Sequence, residues 1–96
     1  MDIPKIKSVI LLEEKHLLVT FTNGVQKIYD CTKLLHLDRF QPLKIDAFFK
    51  SATVDDGGYG ISWSDEVDLS EYELWTNGVE LGQVQSQTMA RVDGKN

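Results

Sequence analysis

Asn23-Gly24 sits between two apolar runs, HLLVTFT over residues 16–22 and VQKIYD over residues 25–30. Both residue types tolerate positive φ, so the pair suits a two-residue type I′ turn whose twist matches the strands it joins. Such a turn commits the chain to an antiparallel hairpin and sets its register. Thr22 falls opposite Val25, Phe21 opposite Gln26, Val19 opposite Ile28, and Leu17 opposite Asp30. Alternation of side chains then puts Leu17, Val19, Phe21 and Ile28 on one face, the expected core face. Leu18, Thr20, Lys27 and Tyr29 fall on the other.

The run KIKSVILL at residues 5–12 supplies a further strand, separated from the hairpin by the polar break Glu13-Glu14-Lys15. Residues 52–55 and 59–63 read as a second hairpin around Asp56-Gly57-Gly58, with Tyr59, Ile61 and Trp63 on one face. Residues 32–37 suggest a short helix, and Asp46 an N-cap for a turn over 47–50, with Pro42 marking the bend between them. Ser70-Glu71-Tyr72-Glu73 matches a capping box, followed by Leu74 and Trp75 and stopped by Asn77-Gly78. These pieces predict an α+β fold: an antiparallel sheet built from a three-strand meander and a second hairpin, with short helices packed on it. Residues 1–78 form the expected single domain, and 79–96, poor in large apolar residues, a weakly ordered tail.

The charge is unevenly placed. Across 96 residues the net charge is −5. Residues 51–90 contain no Lys or Arg but eight acids, a local charge of −8. That balance argues against direct nucleic-acid binding, which needs a positive face. It suits a solvated acidic surface or a field that attracts a basic partner. No apolar run reaches the roughly 20 residues of a membrane span. Nor does the start of the chain carry the long apolar stretch of a secretory signal. A lone cysteine, Cys31, fits a reducing compartment, so the expected location is cytoplasmic, with no membrane partner.

No combination of side chains spells out a reaction. Cys31, His16 and His36 lack the second ligand pair of a tetrahedral metal site. Cys31 reads as a small buried residue rather than an activated thiol. Gly57-Gly58-Tyr59-Gly60 has neither the lysine nor the helix of a phosphate cradle and reads as a hairpin turn. The expectation is a non-enzymatic protein without metal or cofactor. The residues that carry a partner-binding reading are Asp65, Glu66, Asp68, Glu71 and Glu73. Trp75 joins them as the aromatic anchor if it is exposed beside Glu71 and Glu73. An exposed strand edge also leaves room for a homo-oligomer.

Several pieces in fixed order carry a resemblance: Val19-Thr20-Phe21-Thr22-Asn23-Gly24, Tyr29-Asp30 before Leu34-Leu35, Phe49, Val54-Asp55, Ile61-Ser62-Trp63, and Val67-Asp68-Leu69 leading to Leu74-Trp75. Over about residues 6–76 the chain resembles the small bacterial family known as domain of unknown function 2442. That pattern usually has Pro and Gly where this chain has Ser64-Asp65-Glu66-Val67, a more acidic turn. The resemblance implies an antiparallel sheet with short helices and no accepted catalytic residues. It also implies relatives of two kinds, some carrying an added helix-turn-helix domain and others encoded beside small partners in toxin–antitoxin-like arrangements. Two functional expectations follow. The first is a protein-interaction module, the acidic, antitoxin-like partner of a small basic protein. The alternative is a regulatory or small-ligand-sensing domain related to the members fused to a DNA-binding domain.

Overall fold

The computed structural model describes residues 2–81. Among the described residues, seven strands and two short α-helices make two antiparallel sheets over a shared core, so the fold is α+β. The first sheet runs β1 (Ile6–Leu12), β2 (His16–Phe21), β3 (Gln26–Asp30) and β7 (Val79–Glu80), in that spatial order. The second joins β4 (Thr53–Val54), β5 (Gly60–Ser64) and β6 (Val67–Ser70). Helix α1 spans Asp46–Phe49 and α2 spans Glu71–Asn77. Between β3 and α1 the chain forms 3-10 helix over Cys31–Leu34 and Asp38–Lys44 in place of the expected regular helix. Pro42 lies inside the second of these, where it has no N–H to donate.

The first three strands form the expected meander, but the hairpin register is shifted by one residue. Leu17 pairs with Tyr29, Leu18 with Ile28 and Val19 with Lys27. The loop holds three residues, Thr22-Asn23-Gly24, because only Gly24 takes positive φ (91°). Asn23 keeps an ordinary φ and accepts a hydrogen bond from the Val25 N–H through its side-chain oxygen (3.0 Å). The Phe21 N–H donates to the Val25 carbonyl and the Gly24 N–H to the Phe21 carbonyl, closing a three-residue turn with a glycine bulge. The slip moves every side chain of β3 to the opposite face. Tyr29, not Ile28, therefore joins Leu17, Val19 and Phe21 in the core, and all four are fully buried.

Strands β4 and β5 form the second hairpin, with Asp56–Gly58 as a 3-10 turn. Tyr59 ends that turn in helical conformation and is 60% exposed, so it leaves the face it was expected to share with the buried Ile61 and Trp63. Strand β6 was not expected as a separate element. Its Val67 and Leu69 point inward and its Asp68 and Ser70 outward. Trp63 stacks on Phe49 (6.2 Å between centroids), and its indole N–H donates to the Phe49 carbonyl at 2.8 Å.

Helix α2 touches both β3 and β6, so it bridges the sheets. Ser70 Oγ accepts from the Glu73 N–H at 3.1 Å, as the capping box requires. The Glu73 carboxylate does not return to Ser70; it accepts from the Tyr29 hydroxyl instead. Gly78 ends α2 at an ordinary φ of −78°. Its value is closeness: a Cβ there would lie 2.6 Å from the Leu74 carbonyl oxygen. Val79 and Glu80, expected to begin the tail, pair with Ile28 and Lys27 of β3. The rest of that expected tail, 82–96, lies outside the described residues.

The sheets meet most tightly at Gly58. Its φ is +75°, and a Cβ would fall 2.5 Å from the Ile6 carbonyl oxygen and 2.9 Å from the Ile6 nitrogen. Gly24 also has positive φ but opens onto empty space. Urea melts are expected to separate the two. Gly24→Ala costs about 1 kcal/mol, from left-handed backbone strain alone. Gly58→Ala costs about 3 kcal/mol or more, because backbone must also move apart. Equal costs would mean that Gly58 does not seat against Ile6.

Candidate functional site: an acidic, hydroxyl-lined groove

The outward residues of the second sheet alternate with its core residues. Thr53, Ser62 and Asp68 form one row directly across β4, β5 and β6. Ser64 extends the face toward the hairpin tip, where Asp65 and Glu66 turn the chain. A groove of about 430 Å³ opens over this face. Its walls carry hydroxyls from Ser51, Thr53, Ser62 and Ser64 and carboxylates from Asp55, Asp65 and Asp68, with Trp63 between Ser62 and Ser64. No lysine or arginine lines it. Among the described residues, no three or more His, Cys, Asp or Glu side chains converge closely enough to hold a metal ion.

Arg39 reaches the rim from the 3-10 segment. Its Nη2 lies 3.1 Å from Asp68 Oδ1, and its Nε donates to the Glu66 carbonyl at 3.3 Å. Both side chains of the ion pair are at least half exposed, so the pair contributes about 0–1 kcal/mol and restrains rather than fixes the tip. On the far side of Asp68, Leu34, Arg39, Phe40, Leu69, Ser70 and Glu73 line a second hollow of about 360 Å³.

The six residues singled out from the sequence do not share one surface. Asp65, Glu66 and Asp68 come together at the tip and edge of the second sheet. Glu71 turns away to Lys5, whose ammonium lies 2.5 Å from its carboxylate. That hydrogen bond raises the lysine pKa above its ordinary value. Glu73 accepts the buried Tyr29 hydroxyl at 2.7 Å. Trp75 is half-buried: Phe21 meets it edge-on at 5.0 Å, and the Lys27 ammonium sits 3.9 Å over its ring while donating to the Trp75 carbonyl. One side of Trp75, with Ile3, Tyr72 and Thr76, lines a separate hollow of about 370 Å³. The groove's Asp55 and its four hydroxyls escaped notice in the sequence. For Thr53, Ser62 and Ser64 the signal was the alternation of Ser and Thr with Val, Ile and Trp in TV and ISWS; Ser51 and Asp55 lie outside the strands and carry no such signal.

Cys31 and Tyr29 are buried titratable groups away from the groove. Burial, reinforced by Asp30, pushes the Cys31 thiol up to about 12. The nucleophilic thiolate is therefore scarce at neutral pH. A disulfide reagent at mildly alkaline pH should modify the native protein at least about 100-fold more slowly than the urea-unfolded chain. Comparable rates would contradict the burial.

Burial also raises the Tyr29 phenol, helped by its hydrogen bond to Glu73. Its folded-state pKa lies above the ordinary 10.0. The stabilisation linked to it is therefore complete below pH 10 and lost as pH climbs beyond that value. Tyr29→Phe should cost about 2 kcal/mol at neutral pH, since it removes a hydrogen bond to a charged acceptor. Above about pH 10 the variant should lose stability less steeply than wild type. Urea melts across that range check both, and parallel pH profiles would contradict the assignment.

Fold and groove together define a class: a small two-sheet α+β protein with an acidic groove on its second sheet and a mostly apolar core. Its family model matches residues 6–80, and the chain belongs to the family described as "Protein of unknown function (DUF2442)". No curated protein and no solved structure matches the chain.

Proposed function

We propose that this chain is a non-enzymatic protein-interaction module that uses the second-sheet groove to bind a small basic protein, in the manner of an antitoxin-like partner. The observation that carries the reading is the makeup of the groove: three carboxylates and four hydroxyls, with no cation in its walls. Three of the eight acids of the 51–90 segment are engaged within the fold: Glu71 meets Lys5, Glu73 meets Tyr29 and Asp68 meets Arg39. The acids without an ion pair among the described residues include Asp55 and Asp65, both in the groove.

The mechanism is stoichiometric. The groove's field steers a cationic surface inward. Side-chain hydroxyls and carboxylates then accept hydrogen bonds from its Lys and Arg donors. The Arg39–Asp68 pair is exposed and weak, so a partner arginine can replace Arg39 at little cost. A cytoplasmic location is part of this proposal. Among the described residues no helix is long and apolar enough to cross a membrane.

The test compares wild type with the triple variant Asp55→Asn, Asp65→Asn, Asp68→Asn as bait in lysate of the native host. Wild type should retain a small basic protein in stoichiometric amount at moderate salt. The triple variant should lose it, with association slowed about tenfold or more and the melting temperature nearly unchanged. Recovery of wild type alone, or equal retention by the variant, would overturn the proposal.

A further inference from the structure

The outer face of the first sheet has the opposite character from the groove. Ile10, Leu18, Ile28 and Val79 lie directly opposite one another across all four strands. They form one unbroken apolar row over the sheet face that points away from the core. Ile10 and Val79, at the two ends, are 54% and 53% exposed. Leu18 and Ile28 between them are half-buried. One flank of the row is neutral and polar: Ser8, Thr20 and Gln26 lie opposite each other, and Gln26 donates to the Thr20 hydroxyl at 3.1 Å. The other flank is Leu12, His16 and Asp30, with His16 Nε2 3.8 Å from Asp30 Oδ1. No Lys, Arg or Glu occupies these rows, although about a quarter of the chain is charged.

We infer that this face pairs with the same face of a second copy of the chain. Charge permits that occupant on this face while opposing it elsewhere. Each copy carries a net −5, so two copies repel over most orientations. Here they meet with only the His16–Asp30 pair between them. A basic partner finds little to attract it on this face and is drawn to the groove on the other sheet.

The rows are also self-complementary. A two-fold axis parallel to the strands, midway between β2 and β3, exchanges the ends of the four-residue apolar row. It lays Leu18 on the second copy's Ile28 and Ile10 on its Val79. On the flanks it lays Thr20 on the second copy's Gln26 and His16 on its Asp30, so the β2 and β3 positions of each row are complementary. Beside Ile28 and Val79 lies a hollow of about 270 Å³ whose other walls are the polar side chains of His16, Asp30, Lys33 and Asn77.

The area sets the strength. Four strands at about 4.8 Å spacing and five residues at about 3.4 Å rise make about 320 Å² of sheet plane per copy. A standard interface uses about 800 Å² per partner, so the contact falls in the small, weak and transient class.

Sedimentation velocity of the full chain, from about 2 to about 500 µM, tests this. Wild type should pass from monomer to dimer across the range. Ile10→Lys should stay monomeric throughout, and the milder Ile10→Thr should raise the dissociation constant about tenfold. Both should melt close to wild type, because Ile10 is more than half exposed. A wild-type chain that stays monomeric at the highest concentration overturns the inference. So does a dimer that both variants leave intact. A monomer whose Ile10 methyl groups are shielded from a soluble spin label overturns it too, since the chain's own remaining residues would then cover the face.

Discussion

Burial of one face of β2 governs the rest of the molecule. Leu17, Val19 and Phe21 are fully buried along that strand, and the neighbouring strands are ordered by the need to extend the same surface. Each such side chain contributes about 1.5–3 kcal/mol through loss of apolar contact with water. The hairpin register follows from it: a three-residue loop brings Tyr29 beside Leu17. A buried phenol needs an acceptor, and Glu73 supplies it from the first turn of α2. Placing α2 there buries Leu74 and lays Trp75 against Phe21. It also carries the chain back to β3, where Val79–Glu80 closes the sheet edge. The second sheet joins the same core through Ile61, Trp63, Val67 and Leu69, with Gly58 admitting the backbone of Ile6 at contact distance.

Two surfaces of contrasting chemistry result. The second sheet presents hydroxyls and carboxylates, because its outward side chains, Thr53, Ser62, Ser64, Asp68 and Ser70, are all Ser, Thr or Asp. The outer face of the first sheet presents an apolar row between nearly neutral flanks. A single acidic total describes neither surface. Within the acid-rich segment the fold turns Glu71 to Lys5 and Glu73 to Tyr29, holds Asp68 to Arg39 at the groove rim, and leaves Asp55 and Asp65 in the groove without an ion pair among the described residues.

The meander was legible because alternation over residues 16–22 and 25–30 leaves few ways to bury both runs. Its register was not, since Asn-Gly closes a two- or a three-residue loop, and the choice depends on whether Tyr29 or Ile28 is buried. The start of α2 was legible from Ser70 and Glu73, but the second half of the capping box was not. Glu73 is claimed by a residue 44 positions away, and local spacing carries no trace of that. Strand β6 is four residues long and gains its identity only by pairing with β5. The acidity of the candidate site was visible at once. Which acids share a surface was not, because Glu71 and Glu73 are turned inward by Lys5 and Tyr29, partners set by tertiary packing. The strand alternation that places Thr53, Ser62 and Ser64 in the groove is weak in segments of two to five residues, and Ser51 and Asp55 reach it from outside the strands.

If both sheets close over one core, neither should open without the other. Native-state hydrogen exchange reads this directly, residue by residue. The account predicts that the most protected amides of β2 and β5, around Val19 and Ile61, exchange with the same free energy, equal to that of global unfolding. A second sheet that exchanges through its own lower-energy opening, while β1–β3 stay protected, would contradict it.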